Sequence, residues 1–172
     1  MKQIRIEKLT LNIGAGKEQA ILEKGVILLQ SITGLPPVKT ITQKRIANWG
    51  LRPGLPIGCK ITFRGEKAHE LAKRLLHAKN NELSKTNFDD NGNVSFGIHE
   101  YIDIPNVKYD PKIGIMGLQA SITLQRPGFR IKRRKIMKRK IPRHHCISQG
   151  AAITFMKDNF AIKISEEESQ EE

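Results

Sequence analysis

Alternating apolar and polar residues predict several strands along the chain. The clearest, residues 57–64, puts four apolar side chains on one face and Gly58, Lys60, Thr62 and Arg64 on the other. In the first strand, residues 3–13, the apolar positions change parity near Glu7-Lys8, so a bulge there would keep both sets on the buried face. Further strands are predicted at residues 38–42, 94–98 and 118–124, with a possible edge strand at 160–164.

Apolar residues spaced three and four apart predict helices at residues 17–33 and 66–79, and a shorter one at 149–158 with Ser148 as its N-cap. Gly34 and the two prolines after it end the first helix. Residues 80–93 are predicted to form a polar loop that ends in a hairpin-type turn. Short two-faced strands mixed with helices favour an α+β fold, in which a largely antiparallel open sheet packs on helices.

We expect one domain over residues 1–164, with two basic extensions. Residues 42–56 form a tip loop that holds two glycines, two prolines and the only tryptophan. Residues 126–145 form a basic arm, bracketed by Pro127-Gly128 and Pro142. The acidic end, residues 165–172, is predicted to be disordered.

The net charge of the chain narrows the classes of binding partner. The chain of 172 residues has 30 Lys and Arg against 17 Asp and Glu, for a net charge of +13. Five of the acids lie in the last eight residues, so the rest of the chain is more basic still. Such a domain repels itself unless it binds a polyanion, and nucleic acid is the leading candidate. An anionic membrane surface is the second.

The basic arm is the strongest candidate for nucleic-acid contact. Solvated charge runs usually interleave both signs, yet no acidic residue occurs from Pro111 to Lys157. The alternative is a solvated surface helix. The residues expected to contact phosphates are Arg126, Arg130, Lys132, Arg133, Arg134, Lys135, Lys138, Arg139, Lys140 and Arg143, with His144 beside them.

The tip loop combines cations with groups that can stack or hydrogen-bond. Its candidate binding residues are Gln43, Lys44, Arg45, Asn48, Trp49 and Arg52. For Trp49 alone, an anchor that packs the loop on the core is the simpler interpretation.

The segment NIGAGKE is not a Walker loop, because Leu11 and Glu18 stand where Gly and Ser or Thr are required. A glycine turn that opens a helix can still hold a phosphate on outward N–H groups, and a plain strand-to-helix turn is the alternative. The loop around Asp89 lacks the closing glutamate of a calcium site, and the His144-His145-Cys146 run lacks spaced partners for zinc. No catalytic constellation, metal, cofactor or small-molecule substrate is expected.

Two other classes of function remain as rivals. An RNA-processing enzyme would need a catalytic group or a cofactor loop, and neither is found in the sequence. A membrane-surface protein would need a wide apolar helix face with a basic border, whereas the helix at 17–33 carries nearly as many acids as bases. No apolar run approaches the ~18 residues of a membrane span, and no signal-peptide core is present, so we expect a cytoplasmic location.

Four segments resemble the L five family of large-subunit ribosomal proteins. They are LTLNIGAGKE, ITGLPPVKTITQKRIANWGLRPGLPIGCKITFRG, FGIHEYIDIPNVKYDPKIGIMG, and RPGFRI leading into the basic arm. Together they cover roughly residues 3–160 in the family's order, and the last two are similar to the archaeal and eukaryotic branch. The archaeal form fits best.

The resemblance implies a structural component of the cytoplasmic ribosome. Members of the family bind 5S rRNA and help attach it to large-subunit rRNA in the central protuberance, beside neighbouring 5S-binding ribosomal proteins. Their tip loop reaches P-site tRNA, and they form an intersubunit bridge with a protein of the small-subunit head. The family pattern puts Asn12 and Thr62 on 5S rRNA. From strand parity and the glycine turn, we add Gly14, Gly16, Lys17, Lys60 and Arg64 to that surface.

Overall fold

The structure, a computed structural model, describes residues 1–165. The predicted acidic tail therefore lies outside the described residues, apart from Ser165. Three α-helices are present in the described chain: α1 (Gln19–Thr33), α2 (Glu66–Ala78) and α3 (Gln149–Phe160). The strands are β1 (Arg5–Gly14), β2 (Val38–Ile41), β3 (Pro56–Phe63), β4 (Glu82–Ser84), β5 (Asn93–Ile98), β6 (Leu118–Gln125) and β7 (Lys163–Ser165).

The predicted α+β class is confirmed. Five strands form an antiparallel sheet in the order β2-β3-β1-β6-β5, and β4 and β7 form a separate parallel pair. Strands β1, β3, β5 and β6 each alternate buried apolar residues with more exposed ones, which leaves one face of the sheet polar. β2 pairs with β3, with Val38 opposite Lys60 and Thr40 opposite Gly58.

Residue contacts divide the chain into two compact units. The α1 unit comprises Thr10–Phe63 and Gly97–Ala120. Its core combines the apolar face of α1 with the buried side of β1 and β3, and Gly25 of the helix faces Cys59 and Ile13. α1 ends where predicted, because Gly34 takes a left-handed φ of 70° and donates its N–H to Gln30.

The α2–α3 unit comprises Met1–Leu9, Arg64–Phe96 and the described residues from Ser121 to Ser165. The apolar residues spaced three and four apart in α2 are all buried: Ala68, Leu71, Ala72, Leu75 and Leu76. α2 meets α3 through the rings of His69 and Phe160, whose centroids lie 4.8 Å apart. The predicted cap of α3 is confirmed, because the Ser148 hydroxyl accepts from the N–H of Ala151.

Two predictions about the strands were wrong. β1 needs no bulge, because burial alternates regularly from Glu7 to Ile13 and Ile6 lies only half-buried on the opposite parity. The polar loop predicted at 80–93 contains β4, whose Leu83 is buried and whose partner is β7. Three residues are too short for a hydrophobic period to show, so a strand of this length escapes pattern analysis.

Candidate nucleic-acid interface

The sheet of the α1 unit presents a face of uncharged hydrogen-bonding side chains. The hydroxyls of Thr10 on β1 and Thr62 on β3 hydrogen-bond at 3.3 Å. Two residues further along β1, Asn12 donates from Nδ2 to Oε1 of Gln119 on β6, also at 3.3 Å. Lys60 is exposed two residues before Thr62. The parity of these strands thus brings Asn12, Thr62 and Lys60 to one surface, as the sequence predicts.

The chemistry of this face suits folded RNA. Hydroxyl and amide groups can both donate and accept, so they match 2′-hydroxyls and base edges as well as phosphates. The two hydrogen-bonded pairs are exposed, so they can exchange their mutual contacts for contacts with a ligand. Gln119 was not among the sequence-predicted residues, although its alternation with Leu118 and Ala120 in β6 already marks it as outward-facing. Arg64 is exposed but follows the last residue of β3, so strand parity does not extend to it.

The glycine turn between β1 and α1 is closed by its own backbone. The N–H groups of Ala15 and Gly16 both donate to the carbonyl of Ile57, at 2.9 and 3.1 Å. These two amides face β3 and do not point outward, which favours a plain strand-to-helix turn at this point. Gly14, Gly16 and Lys17 are nevertheless exposed, and the Lys17 side chain lies next to Gly50 of the tip loop.

The tip loop is a preformed finger rather than an open loop. Its base is fastened by Thr42, which is buried and whose N–H and hydroxyl both donate to the carbonyl of Leu55. Nearer the tip, Ile46 and Leu51 exchange two backbone hydrogen bonds around a 3-10 turn at Ala47–Trp49. All six residues predicted as the binding set of this loop are exposed.

Trp49 does not anchor the loop, contrary to the simpler interpretation of the sequence. Its side chain is 68% exposed, and the buried apolar residue of the loop is Leu51. Periodicity gives no guidance in a loop of this kind, because the turn geometry decides which apolar residue faces inward. Trp49 thus stands free among the exposed cations Lys44, Arg45 and Arg52, where an aromatic ring can stack.

The basic arm is not a surface helix. A 3-10 turn at Phe129–Lys132 and another at Arg143–His145 enclose an irregular segment, and every residue from 130 to 140 is exposed. Lys132 lies over the ring of Phe129, 4.8 Å from its centroid. Of the eleven residues predicted to contact phosphates, ten including His144 are exposed cations or hydrogen-bonding groups that an RNA backbone can reach, and Arg126 is half-buried.

Two predicted cations at the root of the arm bond to other parts of the α2–α3 unit. Arg133 forms an ion pair with the buried Glu7 and donates from Nη2 to Gln125 at 3.0 Å. Arg126 is half-buried and donates from Nη1 to the carbonyl of His145 at 3.5 Å. These two arginines fasten the root of the arm. In the sequence, Glu7 has the same parity as the buried residues Leu9 and Leu11 of β1. An acid at such a position indicates that a cation from elsewhere in the chain pairs with it.

The histidines and acids considered for metal sites serve the local structure. His145 donates from Nε2 to the carbonyl of Pro127 at 3.0 Å and lies edge-on to Phe129. The Asp89 carboxylate accepts from the N–H groups of Asn91 and Asn93 and thereby shapes the turn before β5. Over residues 1–165, no three His, Cys, Asp or Glu side chains come together as a metal site.

Comparison with known proteins gives the family. Residues 1–52 match the family described as "Ribosomal protein L5", and residues 56–155 match the C-terminal part of the same ribosomal family. The chain is 47% identical to the large ribosomal subunit protein uL5 of Sulfurisphaera tokodaii, over 96% of this chain and 94% of the relative. The uL5 proteins of Sulfolobus acidocaldarius and Nanoarchaeum equitans are 46% and 45% identical, over 96% and 95% of this chain and 93% and 97% of theirs.

These matches define the class of the protein, which is a structural, non-enzymatic constituent of the large subunit of the cytoplasmic ribosome. The chain belongs to the ribosomal protein L5 family, in its archaeal form, uL5. RNA binding follows from that membership. Among the residues that the structure describes, no helix is long and apolar enough to cross a membrane.

Proposed function

We propose that the protein binds 5S rRNA through the polar sheet face of the α1 unit and helps attach it to large-subunit rRNA in the central protuberance. One observation carries this proposal: Thr10 with Thr62, and Asn12 with Gln119, form exposed hydrogen-bonded pairs across neighbouring strands. The resemblance of the sequence to the family independently puts Asn12 and Thr62 on 5S rRNA. A polar face rich in hydroxyl and amide groups reads the shape and 2′-hydroxyls of folded RNA, which charge alone cannot do.

The finger and the arm supply the other contacts of this proposal. The exposed Trp49 and the cations around it suit the backbone and loop bases of a P-site tRNA, and the same region approaches a protein of the small-subunit head to form an intersubunit bridge. The exposed arm cations neutralise phosphates of large-subunit rRNA. Neighbouring 5S-binding ribosomal proteins complete the assembly.

The test is binding of the full chain to 5S rRNA and to a length-matched unrelated structured RNA, each at low and near-physiological salt. We expect 5S binding to survive the higher salt while binding to the control RNA falls away. If both affinities fall with the same salt slope, charge acts alone and the protein is a generic basic RNA binder, which would refute the 5S assignment.

Single variants then locate the surface. Asn12→Ala and Thr62→Ala each remove one hydrogen-bonding group worth about 0.5–1.5 kcal/mol, so we expect a ~2- to 12-fold weaker Kd with an unchanged salt slope. Lys60→Gln should lower the salt slope by about one. Thr154→Ala is the matched control, because Thr154 is an exposed threonine on α3 whose hydroxyl bonds within its own helix. Equal affinities for Thr62→Ala and Thr154→Ala would remove the sheet face from the 5S interface.

A further inference from the structure

The far end of the basic arm exposes two large apolar side chains side by side. Ile136 is 77% exposed and Met137 is 68% exposed. Their neighbours in sequence are Arg134, Lys135 and Lys138, and no acid occurs within 20 residues on either side. We call Ile136 and Met137 the arm apex. Isolated exposed apolar residues are common, but an adjacent pair surrounded by cations alone is not accounted for by burial in the fold.

The backbone holds the apex in a defined shape. Arg134 donates from Nε to the carbonyl of Met137 at 2.9 Å, which closes a turn around the apex. The N–H of Arg139 donates to the carbonyl of Ile131 at 3.3 Å and closes the neck of the arm. Met137 has a φ of +53°, a left-handed conformation that is uncommon and costs energy for a non-glycine residue. A glycine would relieve this strain, yet the position holds a long apolar side chain.

We propose that the arm apex is an apolar wedge that packs against an unstacked nucleobase of folded ribosomal RNA. This proposal rests on the proposed rRNA-binding function and assigns the arm a contact other than phosphate neutralisation. Proteins that bind nucleic acid insert Ile, Met and similar side chains next to base planes while adjacent cations hold the backbone. The unbranched thioether of Met137 can adapt to an irregular base surface.

The surrounding charge favours RNA over a protein partner. Protein interfaces are depleted in lysine at their core, whereas Lys135 and Lys138 directly flank the apex. Sequence-specific recognition of RNA concentrates on loops and bulges whose bases are free to be stacked upon. The arm apex, with cations on both sides in the sequence, fits an unstacked base in such a loop or bulge.

The test compares the full-length wild type with the double variant Ile136→Ser/Met137→Ser and the single variant Met137→Gly. Their probes are 5S rRNA and a transcript of the central-protuberance region of large-subunit rRNA, titrated over a range of salt. We expect the double variant to bind at least one of these RNAs about tenfold more weakly, with the wild-type salt slope, because no charge is changed. Met137→Gly keeps the left-handed turn but lacks the side chain, so it should also bind that RNA more weakly.

Ile115→Ser is the matched control, because Ile115 is 72% exposed and is not part of the basic arm. We expect Ile115→Ser to bind as the wild type does. If the double variant binds both RNAs as tightly as the wild type, the wedge is refuted and a protein contact becomes the explanation of the apex. A wild type that shows no preference for 5S rRNA would refute the proposed function instead, so the two failures are distinguishable.

Discussion

Replacing Gly58 by alanine tests how closely β3 approaches β1 in the α1 unit. A Cβ at Gly58 would lie 2.6 Å from the carbonyl oxygen of Ile13 on β1 and 3.0 Å from Oγ1 of Thr40 on β2. The Ile13 oxygen is a backbone atom of a paired strand, so it cannot move without disturbing the sheet, whereas the Thr40 hydroxyl can rotate away. To reach ordinary contact, the Cβ and the Ile13 oxygen must separate by about 0.8 Å.

The net effect follows from two opposing contributions. Forcing an extra methyl group into a packed site costs about 1–3 kcal/mol. Alanine in a strand recovers about 0.5–1 kcal/mol relative to glycine, because it loses less backbone entropy on folding. At the middle of these two ranges, Gly58→Ala should lower the free energy of unfolding by about 1.3 kcal/mol, which lowers the Tm by about 3–5 °C for a chain of this size.

Gly97→Ala is the matched control for this substitution. Gly97 also lies in a strand, β5, but a Cβ there would meet no atom within 4 Å. We expect Gly97→Ala to leave stability unchanged or to raise it by up to about 1 kcal/mol. Urea unfolding followed by far-UV circular dichroism gives both values, since the exposed Trp49 is a poor reporter of the core. If Gly58→Ala proves as stable as Gly97→Ala, the close approach of β3 to Ile13 is wrong.

Three further expectations concern the finger and the two cysteines. Leu51→Ala should destabilise the protein by about 2–4 kcal/mol in urea unfolding, whereas Trp49→Ala should change stability by less than ~0.5 kcal/mol; equal losses would contradict the assignment of Leu51 as the anchor. A thiol reagent should label the exposed Cys146 rapidly and the buried Cys59 only on unfolding, and mass spectrometry of the labelled peptides would expose the reverse order. Burial raises the pKa of the Cys59 thiol, so the unfolded chain ionises first and stability should decline above about pH 8.5. Unfolding curves at pH 7 and 9.5 should show a smaller decline for Cys59→Ala, and an identical decline would exclude the thiol.

Much of the fold could be predicted from periodicity, because the elements concerned bury one regular face. α2 is the clearest case: the spacing of Ala68, Leu71 and Leu75 defines a stripe, and all three are buried. The turn from α1 to β2 was predictable because Gly34 permits the left-handed end of the helix and the prolines after it cannot continue a helix. The pairing of β4 with β7 was not, since it joins two three-residue segments about 80 positions apart and depends on where α3 packs.

The candidate site, too, could be predicted from the sequence only in part. Strand parity is sufficient to bring Lys60 and Thr62 to one face, because successive side chains of a strand alternate. Composition is sufficient to identify the arm as basic. Neither strand parity nor composition distinguishes a cation that is free to bind RNA from one that holds the arm in place. The difference depends on whether the cation has a partner distant in sequence. Arg126 and Arg133 read like the other arm cations in the sequence, yet both have partners inside the protein.

Glu7 shows how one such contact joins fold and function. Its side chain is only 7% exposed and stands at a core position of β1, where a lone carboxylate would be costly. The positive guanidinium of Arg133 offsets that cost, and its Nη2 donates a hydrogen bond to Oε1 of Gln125 on β6. The ion pair therefore fixes where the arm leaves the sheet, because it ties Arg133 to β1 although the Arg133 side chain is still 44% exposed. Glu7, 126 positions before Arg133 in the chain, therefore fixes the root of the arm. The root in turn determines where the exposed cations of the arm can contact phosphates.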